Sequence, residues 1–304
     1  MNIFIKCSSR PFYLDRLLHS IEMNCTGTQA VILLNDGIAA RHVERLKRTH
    51  RGVEERRSGR LAANPAADPG AFWAAETAAE GRRYIFVLEE DTWITSPIDL
   101  DAVERALARN HALMMRMYWH GADAFAAAAR IQFSEQAEGG VALDFYSKVD
   151  AKSFLDLYNY FCVAHGVFRA DFYSQSYAGL ANWADEMGLL RAAVGYINTA
   201  VARGEKFRLC KSRIELLRHS TTTTSRTDSG GAGIAPIDAR AVNDALTESW
   251  DAGDLDVMAG YPSDIPEAAV ARAIARRLGD AALDQWRVWR HGYLGMYENM
   301  GARL

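Results

Sequence analysis

The chain has 304 residues, 49% of them hydrophobic and 24% charged, with a formal net charge of -3; that is enough apolar content to pack one large domain or two small ones, and it gives no global basic field of the kind that draws nucleic acid. Its four cysteines, Cys7, Cys25, Cys162 and Cys210, form no C-x-x-C pair, which argues against a zinc knuckle or a disulfide framework and for a reducing compartment. No run of 18 apolar residues occurs, so neither a membrane span nor a signal segment is expected, and the expected location is cytoplasmic, extending at most to the inner face of a membrane.

In chain order, "NIFIKC" reads as a short buried strand, and "RPFYLDRLLHSIE" then sets Leu14, Leu17, Leu18 and Ile21 at helical spacing. "QAVILLND" is a second apolar strand, and "GIAARHVERLKRTH" a helix closing at Gly52. This alternation is the rhythm of a parallel sheet. Residues 41–60 hold eight Arg or Lys against three Glu and read as a solvated helix face, without the interleaved aromatics of a nucleic-acid platform. After the Pro- and Gly-punctuated "RLAANPAADPG", a helix over 71–80 leads into the strand "YIFVLEEDTWI". Beyond residue 110, "ALMMRMYW" and "VALDFYS" are predicted strands and "NWADEMGLLRAAVGYINTAVARGEK" is a long helix ending near Gly204. Residues 218–236 are rich in Ser, Thr and Gly and read as a flexible loop. The remainder, 237–304, is predicted helical.

Three apolar strands end in polar residues: Ser8 and Ser9, Asn35 and Asp36, and Glu89 to Asp91. Ligands of open α/β sheets bind outside the carboxyl ends of strands, so these endings predict one site. Period-2 alternation points Glu89 and Asp91 to the same side. Their mutual repulsion calls for a cation, and hard oxygen donors suit Mg²⁺ or Mn²⁺; the plainer alternative is a solvated acidic turn.

"SSRPFYLDRLLHSI", "LLND" and "VLEED" together resemble a nucleotide-sugar-dependent glycosyltransferase of the GT-A fold, family-2-like, over residues 2–220 or so. The resemblance implies an α/β fold with a Rossmann-like, mostly parallel sheet flanked by helices. Residues 1–217 would be the catalytic domain, 1–110 its nucleotide-binding half and 111–217 its acceptor half. The α-helical extension 237–304 lies outside the resemblance. Glu89-Glu90-Asp91 matches the family's D-x-D motif with Glu in the first place, which implies Asp91 and Glu89 as metal ligands, Glu89 also touching the nucleotide, and Glu90 as spacer. Asp36 matches the acid that binds base or ribose, and Ser8 and Arg10 lie where the family wraps the nucleotide. Read locally, Asp36 is also an Asn-Asp-Gly turn residue, and Ser8 and Arg10 a cap and a surface charge beside Pro11 at the first helical position.

In "NWADEMGLLRAAVGY", Asp185 and Glu186, followed by Leu189 and Arg191, match the family's acidic helix start. The resemblance implies Glu186, with Asp185 next, as the base that deprotonates an acceptor hydroxyl in an inverting transfer; the local alternative is stabilisation of the helix dipole. It also implies His219 as a further metal ligand. Arg218 and Arg226 would neutralise the leaving diphosphate, His165 would line the acceptor pocket or simply pack, and the Ser/Thr-rich loop would act as a lid. The expected reaction is therefore a Mn²⁺- or Mg²⁺-dependent transfer from a nucleoside-diphosphate sugar to a carbohydrate, lipid-linked glycan or other hydroxyl acceptor. A sugar nucleotidyltransferase is a rival, but "KCSSRPFYLDR" lacks the glycines of its phosphate loop; an inactive sugar-nucleotide-binding protein of the same fold is another. Trp286, Trp289, Tyr293 and Tyr297 could cover the core, form a homodimer interface or rest peripherally on a membrane.

Overall fold

The computed structural model describes residues 1–58, 69–79, 81–118, 133–136, 142–146, 165–177, 186–224 and 234–299. The first half runs β1 (Asn2–Cys7), α1 (Pro11–Asn24), β2 (Cys25–Thr26), β3 (Val31–Asn35), α2 (Ala40–Thr49), β4 (Val53–Arg57), α3 (Pro69–Ala79), β5 (Tyr84–Glu89), β6 (Thr92–Ile94), β7 (Ile98–Asp99) and α4 (Leu100–Arg109). The second half runs β8 (Ala112–Tyr118), β9 (Phe133–Gln136), β10 (Ala142–Tyr146), β11 (Gly166–Arg169), α5 (Ala170–Tyr177), α6 (Glu186–Ala202), β12 (Arg208–Glu215) and β13 (Leu217–His219). The extension adds α7 (Ala239–Asp251), α8 (Glu267–Leu278) and α9 (Asp280–Asn299).

Among the described residues a nine-stranded sheet has the order β4-β3-β1-β5-β11-β8-β12-β10-β9. Following the pairings across it, β11 and β10 run against the other seven strands, so the expected mostly parallel sheet flanked by helices is what the chain forms. β1, β3 and β5 are mainly apolar, with polar residues toward their ends, because helices cover both faces. Ile3, Ile5, Leu33 and Leu88 join one core with Phe12, Leu14 and Leu17 of α1. Phe4, Ile32, Leu34 and Val87 join another with Trp73, Phe172 and Leu190 on the opposite face.

The first of those cores also takes in the extension. Trp286 and Trp289 are both 0% exposed and pack with Trp250, Ile274 and Leu246 against α1 and the sheet, while Tyr293 stacks on Trp289 with ring centroids 4.9 Å apart. The two tryptophans are thus spent on the chain's own core, which removes them from a homodimer or membrane surface. No helix of the described residues is long and apolar enough to cross a membrane.

Several elements differ from the sequence reading. The basic run is only half helix, since Val53–Arg57 forms β4; its charged side chains suit a sheet edge, where they discourage pairing with another chain. Leu100–Arg109 is a helix whose Asp99 cap accepts from the Asp101 and Ala102 amides at 3.0 Å. The segment expected as a loop from residue 218 begins as strand: Leu217–His219 pairs with β6, and Thr221, Thr222 and Thr223 are buried. Asp264 of the extension accepts from the Thr221 amide at 2.8 Å and the Thr222 hydroxyl at 2.9 Å. Residues 225–233 of the expected lid lie outside the described residues.

Chain order sets where a ligand can enter. From β1 the chain steps outward through β3 to β4, then returns to the other flank of β1 as β5. The crevice between β1 and β5 is therefore a topological switch point, where open α/β sheets bind their ligands.

Candidate functional site

Register brings the three strand ends level: Cys7 pairs with Asn35, and Lys6 with Glu89. The Asp36 amide then donates to the Cys7 carbonyl at 2.8 Å, and the Glu90 amide to the Lys6 carbonyl at 3.0 Å. The residues of all three endings consequently meet in one place.

The crowded acids have cationic partners within the chain. Lys6 Nζ donates to Glu89 Oε1 at 2.8 Å, and Arg10 spans the other two, Nε to Glu90 Oε1 at 2.9 Å and Nη1 to Asp91 Oδ2 at 2.7 Å. Glu90, expected as a spacer, is 1% exposed and also accepts from the amides of Ser8 at 2.6 Å and Ser9 at 3.3 Å. It is the residue that shapes the loop after β1. The reason is that β5 ends at Glu89, so strand alternation does not carry through Glu90 and Asp91, which lie in a turn. Burial pushes the Asp91 carboxyl up, but Arg10 and His219 outweigh it and hold the group below its ordinary range.

His219 lies opposite Thr92 in the β13–β6 pair, and the Ser220 amide donates to the Asp91 carbonyl at 2.8 Å. This places His219 Nε2 3.9 Å from Asp91 Oδ2. His165, 1% exposed at the head of β11, interacts electrostatically with Glu89, Arg116, Lys6 and Asp91. Burial lowers both imidazoles, His165 to about 4, so both are neutral at pH 7. The unfolded chain takes up these protons near pH 6.5, whereas folded His165 refuses its proton until about pH 4. Stability should therefore fall as pH drops through that window, by about 1.4 kcal/mol per unit of depression. Urea unfolding at pH 7 and pH 5 checks this, and His165→Gln should flatten the dependence.

A divalent cation can be tested against these donors. Asp91 Oδ1 is buried with no hydrogen-bond partner, a carboxylate oxygen left over for an ion, and the neutral imidazole of His219 stands beside it. Those two fit a cation whose remaining positions go to phosphate oxygens and water; Glu89 fits only by leaving Lys6. The three do not form a ready-made ligand triangle. Among the described residues, the group with one donor atom each within 4.8 Å of the others is Asp15, His19 and His50.

Asp36 is half-buried at the turn after β3, where the Ser58 hydroxyl donates to its carboxylate. The adjoining Gly37 is needed for close approach, since a Cβ there would lie 2.1 Å from the Ser8 carbonyl oxygen. Gly37→Ala must displace the Ser8–Arg10 loop or the Asp36 turn, with an expected cost of about 1–3 kcal/mol. Thermal unfolding would show that loss.

Arg218 does not join the acids. On β13 it alternates with His219, its Nε donates to Glu215, and its Nη1 lies 3.3 Å from Ser263 Oγ. Glu186 is the first residue of α6, but its side chain, Asp185 and Arg226 lie outside the described residues. Sequence reasoning missed Lys6 and underweighted Glu90. The available signal was a lone cation inside an otherwise apolar strand, which needs a partner when buried.

No protein-family model matches the sequence, and no curated protein matches it. Solved structures with a similar chain path include the following three. The bifunctional glycosyltransferase WbbM in its apo form aligns at 11% identity and a TM-score of 0.43, over 74% of this chain and 47% of that one. S. aureus TarS aligns at 10% identity and a TM-score of 0.46, over 91% of this chain and 43% of that one. TarS 1-349 in complex with UDP aligns at 9% identity and a TM-score of 0.44, over 91% of this chain and 70% of that one. This chain spans less than half the length of the first two.

Proposed function

We propose that the chain transfers a sugar from a nucleoside-diphosphate sugar to an acceptor hydroxyl on a carbohydrate, a lipid-linked glycan or another molecule. The observation that carries this reading is the buried acid–cation cluster at the β1–β5 switch point, in which Asp91 keeps an unpartnered oxygen beside Arg10 and His219. Such a place suits a diphosphate arriving with its counterion. Asp36 would hold the base or ribose, and the Ser8–Arg10 loop would shape the nucleotide's edge of the crevice. Asp91 and His219, with Glu89 if Lys6 releases it, would hold Mn²⁺ or Mg²⁺, which when bound supplies positive charge against the leaving diphosphate. Arg226, close to His219 in sequence, would add to that charge.

The acceptor oxygen attacks the anomeric carbon as the bond to the diphosphate breaks, and the hydroxyl proton passes to a carboxylate. Glu186, then Asp185, is the proposed base, with inversion at the anomeric carbon. Support comes from connectivity. β12 runs with β1, and α6 reaches it through the short connection 203–207, so the far end of α6, with Glu186, falls toward the carboxyl edge of the sheet.

Thermal-shift and turnover measurements with UDP-, GDP-, CMP- and dTDP-sugars, with and without Mn²⁺, test the reading, since a bound donor stabilises the fold by mass action. One donor should raise the melting temperature and be consumed, and Asp91→Ala should lose both effects. Absence of any donor effect across the panel would overturn the proposal. Product retaining the donor's anomeric configuration by NMR would overturn inversion.

A further inference from the structure

A second group of donor atoms lies on α1 and the end of α2, and none of its members belongs to the acid–cation cluster. Asp15 and His19 are one helical turn apart on α1, and His50 caps the end of α2. His50 Nε2 is 2.7 Å from Asp15 Oδ1, and His19 Nε2 is 3.7 Å from the same oxygen. Tetrahedral zinc, with bonds of about 2.0–2.2 Å, needs donor atoms about 3.3 Å apart, and the two separations bracket that value.

The outer partners already leave the right atoms facing inward. Trp250 Nε1 donates to Asp15 Oδ2 at 2.7 Å, which leaves Oδ1 toward the histidines. Glu22 Oε1 lies 3.1 Å from His50 Nδ1, which leaves Nε2 toward Asp15. A ligand histidine backed by a carboxylate, and a ligand carboxylate held by an indole N–H, are the supports that fix metal ligands in place. The side chain of His19 is 37% exposed and that of His50 1%, so the ion would have an entry path and an outer position for water.

We propose that Asp15, His19 and His50 form a transition-metal site, with Glu22 and Trp250 as its outer supports. Two imidazoles and one carboxylate suit Zn²⁺ rather than the oxygen-seeking Mg²⁺. The bound ion would tie α1 to the end of α2. Through the Asp15–Trp250 hydrogen bond, it would also brace α7 of the extension against α1. The site is independent of the glycosyl-transfer reading and stands or falls separately from it.

The test uses the full chain, stripped with chelator and titrated with Co²⁺ and then Zn²⁺. One equivalent of Co²⁺ should give the intense visible absorption of a four-coordinate ion, and one equivalent of Zn²⁺ should abolish it. Asp91→Ala should retain this behaviour. His19→Ala, a substitution at a half-exposed position that circular dichroism can show to be folded, should lose the band and the rise in melting temperature caused by Zn²⁺. Glu22→Gln should weaken Zn²⁺ affinity by about 10- to 100-fold. Absence of a saturable Co²⁺ band, or a band unchanged in His19→Ala, would overturn the proposal and leave the cluster a buried ion-paired histidine.

Discussion

Arg10→Met should destabilise the protein by about 3–5 kcal/mol, the range for leaving a buried charge without its partner. Arg10 is 5% exposed, and among the described residues it alone joins Glu90 and Asp91, which are 1% and 6% exposed. Methionine fills a similar volume but satisfies neither carboxylate, and the Ser8–Ser9 amides keep only one of the two acids in place. Arg10→Lys should fall between, because an ammonium cannot span two acids with the fixed fork of a guanidinium. Acid provides an internal check. Without Arg10 the buried Asp91 carboxylate gains its proton at higher pH, so the gap to wild type should narrow as pH falls from 7 toward 4. Urea unfolding at both pH values measures it, and a loss under about 1 kcal/mol at pH 7 would show that water already carries the two acids.

The parts of this fold that could be read from sequence are those whose physics is local. "IFI", "AVILL" and "YIFVL" are unbroken apolar runs because their strands are covered on both faces, and the polar residues that follow them mark the carboxyl edge of a parallel sheet. β4, "VEERR", lies at an edge and carries no apolar signal, and β12, "RLCKSRIE", is polar through its middle, so neither shows a strand period. The site divides in the same way. Asp91 and His219 follow from strand ends and from resemblance, whereas the Lys6–Glu89 pair depends on the β1–β5 register, which joins residues 83 positions apart. Period-2 alternation applies to strand backbone, and the strand stops at Glu89, so it does not extend to Glu90 and Asp91. The helix spacing of Asp15 and His19 is visible in sequence, but His50 reaches them only through the packing of α2 on α1. The aromatic stripe of α9 reads first as a core cover, with an interface or a membrane surface as alternatives, and the buried positions of Trp286 and Trp289 bear out the core.

Asp264→Ala is expected to be comparably costly and to act on the site from a distance. Asp264 belongs to the extension, and its carboxylate accepts from the Tyr13 hydroxyl at 2.9 Å, the Thr221 amide at 2.8 Å and the Thr222 hydroxyl at 2.9 Å. All three donors are buried, and each orphaned donor costs about 1–3 kcal/mol, so a total of about 3 kcal/mol or more should be lost. Thr221 follows Ser220, whose amide holds the Asp91 carbonyl, and His219 pairs with β6 just before it. Freeing Thr221 and Thr222 should therefore loosen His219 and weaken donor binding, although Asp264 itself touches none of the proposed donor-binding acids. Hydrogen exchange should show faster exchange at residues 217–224 under native conditions, with a smaller change in Asp264→Asn, whose amide oxygen can still accept from part of the set. If Asp264→Ala lowers global stability while exchange at 217–224 keeps its wild-type rate, the extension is a passive cover of the core and not a brace for the site.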